Sequence, residues 1–182
     1  LVINEVMANN VTTIMDETGD YDDWIELYNN SNTPISTNGL LFSDNPLNLD
    51  KWDLPNIVVN PNSYFIIWAD EDGNTGDNHA NFKLSNLGEQ LILSNSDSSI
   101  VDAEFIYPQN DDIAYGRFPN GIGSFTMLTP TFNANNSPTS NDNVNIEETF
   151  SVFPNPFDKF LKIDTDNNFY ITNALGQKIY QS

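Results

Sequence analysis

The chain has 182 residues, 38% of them apolar and 12% aromatic, enough for one ordinary domain with a small second unit or for one large all-β domain. Its 26 acidic residues against 6 basic ones give a formal charge of −20, which repels nucleic acid or an anionic membrane and leaves most carboxylates without a cationic mate. Cysteine is absent, which excludes disulfides, thiolate metal sites and a cysteine nucleophile, and 29 asparagines favour turns over helices.

The chain opens inside an apolar run, Leu1-Val2-Ile3, and reads as a processed or excised piece of a longer protein. Apolar residues then recur with period two, predicting strands at 1–6, 24–29, 40–43, 63–69, 90–94, 99–108, 113–117 and 123–128. In 99–108 the alternation sets Val101, Ala103, Phe105 and Tyr107 on a core face and turns Ile100, Asp102, Glu104 and Ile106 outward. Asn38-Gly39 fits a two-residue hairpin, Pro119-Asn120-Gly121 fits a turn with φ pre-set at proline, and 95–99 is a polar break. Short strands at regular intervals indicate an immunoglobulin-like β-sandwich over residues 1–135. The stretch 136–149 has too few apolar residues to offset its ordering entropy and reads as a flexible linker. Alternation resumes over 150–182, a short incomplete β segment, and the pair 169–172 and 177–180 reads as a final hairpin. No apolar run reaches the ~20 residues of a membrane span, so no membrane insertion is expected.

The single histidine, His79, stands near Asp77 without a nucleophile motif and reads as a loop residue capping backbone groups. No catalytic residue is assigned, and paired carboxylates alone do not fix the separation that glycoside hydrolysis needs. Two acidic loops, DETGDYDD (16–23) and DEDGNTGD (70–77), raise the question of a cation. Asp70, Asp72, Asn74 and Asp77 would supply hard oxygens to calcium, although the sixth-position glycine and twelfth-position glutamate of an EF-hand are missing. The alternative is a pair of solvated turns, with no cofactor required. Trp24, Trp52 and Trp68 are candidates for stacking on a sugar ring, Trp24 from the half-exposed side of its strand.

Ile3-Asn4-Glu5, DDWIELYNNS (22–31), LFSDNP (41–46), Lys51-Trp52, YFIIWADE (64–71), NFKLSNLGEQ (81–90) and YGRFPNG (115–121) occur in order, and by them residues 1 to about 135 resemble a bacterial lamin tail domain. The resemblance implies an immunoglobulin-like, non-catalytic binding or spacer module, with any enzyme elsewhere in the parent protein. Its companions are often secreted hydrolases or a CotH-kinase-like domain. One departure is Thr129-Pro130-Thr131-Phe132, where the family often closes with Thr-Pro-Gly. Beyond it, Val152, Pro154, Asn155, Pro156, Leu161 and Ile163, then Asn173, Leu175, Gly176 and Gln177, resemble the first half of the C-terminal sorting domain of the type IX secretion system of Bacteroidetes. That likeness implies export to the cell surface or medium, with the secretion machinery as one partner and a surface protein or polysaccharide as another. The runner-up is a calcium-dependent carbohydrate-binding module attached to a secreted hydrolase.

Overall fold

The computed structural model describes residues 1–72 and 75–136, together with two strands further along the chain. The chain divides into two compact units, Leu1–Asn143 and Val144–Ser182. Of the second unit the described part is an antiparallel pair, Tyr170–Thr172 with Lys178–Gln181. The residues read as the sorting motif, Pro154, Asn155, Pro156, Leu161, Ile163, Asn173, Leu175, Gly176 and Gln177, lie outside the described ones.

The first unit is an all-β sandwich. Its strands are β1 (Val2–Met7), β2 (Trp24–Tyr28), β3 (Ile35–Ser36), β4 (Leu40–Ser43), β5 (Trp52–Asp53), β6 (Val58–Val59), β7 (Tyr64–Trp68), β8 (Glu89–Asn95), β9 (Ile100–Ile106), β10 (Ala114–Phe118) and β11 (Ser124–Leu128). An antiparallel sheet of order β11-β10-β1-β2-β7 faces a second of order β5-β4-β8-β9, and β3 pairs with β6 beside them. Ile3, Val6, Ile25, Leu27 and Ile67 of the first sheet meet Leu40, Phe42, Leu91 and Leu93 of the second, which fixes the register, since a one-residue slip would turn them all to water. Among the described residues no helix is long and apolar enough to cross a membrane.

Each long strand read from alternation forms, within a residue or two of its expected ends. Three details differ. Asn38-Gly39 does make a turn, with Leu40 N donating to Thr37 O at 2.9 Å, but the flanking strands β3 and β4 pair with β6 and with β5 and β8, so the turn passes the chain from one sheet to another. The two-residue strands β3, β5 and β6 are too short to show a period. The faces of β9 are also reversed. Ile106 is buried, Asp102 and Glu104 turn inward, and Val101 and Phe105 are exposed.

Arg117 on β10 is the reason for that reversal. Its guanidinium donates to Asp102 and Glu104 of β9, to Ile3 O at 2.8 Å and to Gly123 O at 3.3 Å. One cation thus pairs with two inward carboxylates, leaving a single net negative charge, and ties the edge strand β9 of one sheet to β10 inside the other.

Candidate functional site

The outer face of the five-stranded sheet, the side an antiparallel sheet usually gives to water, is covered. All five residues of β2 are buried. A bulge in β1 between Ile3 and Glu5 lets both Asn4 and Glu5 reach this face, where Glu5 pairs across the strands with Glu26. Residues 131–136 lie over these carboxylates as a strap. Thr131 donates to Glu5 through its backbone N–H at 2.9 Å and through its hydroxyl, and Asn133 N–H donates to Glu26 Oε2 at 2.7 Å. Asn4 Nδ2 donates to Glu26 Oε1 at 2.9 Å, and Asn136 Nδ2 donates to Arg117 O at 2.8 Å and Asn4 O at 3.2 Å. Asn136, read from sequence as the start of the linker, is therefore buried and bonded. A Cβ at Gly116 would come within 2.7 Å of Asn4 O and 2.9 Å of Asn136 Nδ2, so only glycine admits the strap so close.

Burial pushes the Glu26 carboxyl up to about 8, with Glu5 adding to the rise against the hydrogen bonds from Asn4 and Asn133. Glu5 is raised for the same first reason, against the pull of Thr131. The pair is a desolvated acid patch that anchors the last stretch of the domain.

Next to it, Trp24 and Trp68 pack with Met7 beneath Phe132 of the strap. Phe132 meets Trp24 edge-on at 5.2 Å and Trp68 at 5.5 Å. The expectation of a half-exposed Trp24 is corrected: Trp24 is 0% and Trp68 4% exposed, because a residue more than sixty positions away supplies their cover. Trp52 is partly exposed and packs against the core. The three tryptophans do not share a surface, so they form no stacking platform.

The two acidic loops do meet. Asp16, Asp22 and Asp70 bring carboxylate oxygens within 4.8 Å of one another, and Asp16, Glu17 and His79 form an overlapping group. Among the described residues Asp72 and Asp77 join neither group, and Asn74 lies outside the described residues. Asp16 caps its own loop by accepting from the backbone N–H groups of Thr18, Gly19 and Asp20, a ring of donors that holds its carboxyl low against the burial that would raise it. His79 is not a loop residue capping backbone groups, as its sequence context implies, but is 1% exposed. Its Nδ1 bonds Asp70, and its Nε2 lies 3.0 Å from Glu17 Oε1. Burial works to lower its pKa, but the hydrogen bonds to Asp70 and Glu17 outweigh it and the net shift is upward. With each ring nitrogen on a carboxylate, the imidazole ties one loop to the other.

These side chains fall in a sandwich whose first 107 residues match the Lamin Tail Domain model. The chain belongs to the lamin tail domain family. No curated protein and no solved structure matches it. In this lamin tail domain β10, β11 and the strap lie beyond the matched residues, yet β10 pairs with β1 and the strap covers it. Two of the sequence words by which the chain resembles the family, Ile3-Asn4-Glu5 and DDWIELYNNS, contain the carboxylates that anchor the strap.

Proposed function

We propose that this chain is a non-catalytic binding or spacer module of a larger bacterial surface protein, exported by means of its C-terminal sorting segment. The observation that carries the reading is the use made of the groups suited to chemistry: Glu5 and Glu26 anchor the strap, His79 and Asp70 join two loops, and Arg117 joins two sheets. An active site keeps such groups poised toward a cavity for substrate, whereas here each holds a neighbouring segment. The sorting-motif likeness at Pro154-Asn155-Pro156 and Leu175-Gly176-Gln177 supports export, and the −20 charge supports a partner that is neither nucleic acid nor anionic lipid.

A panel of esterase, nuclease, protease and glycosidase substrates tests the reading. No turnover is expected from the purified chain. Activity abolished by a single Asp→Asn or Glu→Gln change would overturn it. The meeting of Asp16, Asp22 and Asp70 favours a second reading, a calcium-dependent carbohydrate-binding module, which predicts glycan binding lost in chelator.

A further inference from the structure

The four-stranded sheet is narrower than its partner, and beyond β9 the inner surface of β10 and β11 is left partly open. Along this border runs a continuous row of rings. Phe105 meets Tyr107 at 5.3 Å, Tyr107 meets Tyr115 at 6.1 Å, and Tyr115 meets Phe125 at 5.3 Å. Phe105 is 54% and Tyr107 58% exposed, and Met127, opposite Tyr115 on β11, is 52% exposed. Large rings left in water in a contiguous group mark a recognition surface rather than a core. Neither tyrosine hydroxyl has a hydrogen-bond partner among the described residues.

Resting on the binding-module reading, we infer that this aromatic border is a binding site for a neutral polysaccharide chain. The electron-rich faces of the rings attract the C–H faces of sugar rings, and the two tyrosine hydroxyls without partners among the described residues meet sugar hydroxyls. Three observations select this occupant. The surface charge of −20 repels an acidic glycan, and at the border itself Arg117, lying 5.1 Å over the Phe125 ring, balances only one of the two carboxylates Asp102 and Glu104. A peptide strand adding to the free edge of β9 would meet inward-turned Asp102 and Glu104, the kind of charge that guards an edge against strand addition. Adjacent ring planes are turned by 75°, 82° and 47°, which suits a single soluble chain with twisted residues and not the flat face of a crystalline fibre.

Affinity electrophoresis of the full chain through gels containing hydroxyethylcellulose, xyloglucan, glucomannan, laminarin or pullulan tests the site. Retardation by at least one of these is expected. The double variant Phe105→Ala/Tyr107→Ala should lose affinity about tenfold or more, and Tyr115→Phe, which removes a hydroxyl alone, should weaken it several-fold. Leu47→Ala, which trims a side chain 94% exposed elsewhere, should bind as the parent does. Because both rings are more than half exposed, the double variant should still unfold cooperatively, with a melting temperature only slightly below the parent's. Equal retardation of parent and double variant overturns the site, as does the absence of retardation by every glycan. A dimer in light scattering that the double variant dissolves, with no glycan bound, assigns the border to self-association and also overturns it. Release of reducing ends would instead sink the non-catalytic reading, so the two failures have separate readouts.

Discussion

Replacing Glu26 by glutamine should change how stability depends on pH. Glu26 is 0% exposed, and its carboxyl titrates at about 8 in the fold against an ordinary 4.5. A carboxyl raised on folding contributes its full stability below the unfolded value and loses it as pH climbs through the folded one. The gap of about 3.5 pH units, at about 1.36 kcal/mol each, makes roughly 5 kcal/mol lost between pH 4.5 and pH 8. Glutamine cannot ionise, but it offers one acceptor oxygen where Asn4 and Asn133 each donate, so one donor faces an amide N–H at a cost of about 1–3 kcal/mol at every pH. Glu26→Gln is therefore expected to be less stable than the parent by that amount at pH 5 and more stable by about 2–4 kcal/mol at pH 9. Urea unfolding of both proteins in small pH steps, at fixed ionic strength, gives the difference curve. The titrations of Asp23, raised to about 6 by burial, and of His79 are common to both proteins and drop out of it. A stability difference that stays constant from pH 5 to pH 9 would refute the reasoning.

Phe132→Ala should destabilise by about 2–4 kcal/mol and shift tryptophan emission to the red as water reaches Trp24 and Trp68; unchanged emission would show that Phe132 is not their cover. Arg117→Ala leaves Asp102 and Glu104 side by side without a cation and should cost about 2–4 kcal/mol in urea unfolding, whereas a loss below that of an ordinary surface pair would mean the tie between sheets is idle. At matched ionic strength calcium and magnesium should raise the melting temperature equally and slightly, by screening of the charged surface. A calcium-selective rise abolished by Asp22→Asn would reverse that and promote the calcium-dependent reading.

What could be read in advance follows the range of the forces involved. Alternation is a local property, so the long strands and the sandwich were legible from runs such as Trp24–Tyr28 and Tyr64–Trp68. Which face of a strand points inward depends on what lies opposite. In β9 the alternation was read correctly and its direction was not, because Arg117, fifteen residues from Asp102, makes the polar face the inner one. Trp24 was misplaced for a similar reason: its cover comes from Phe132, next to Asn133 whose bond to Glu26 spans 107 positions. The acidic loops stood out individually, but their meeting through His79, with Glu17 sixty-two positions away, has no trace in either loop alone.

The strap also bears on the order in which the domain can assemble as it is made. A chain synthesised from its first residue produces Glu5, Trp24 and Glu26 early, and their cover, Thr131 to Asn136, more than a hundred residues later. Until then the outer face of the sheet holds two carboxylates and two tryptophans with nothing over them. Contacts of such wide separation form late and slowly. The outer face of this sheet can therefore close only after Thr131 to Asn136 have been made, so its completion is tied to the far end of the domain's sequence.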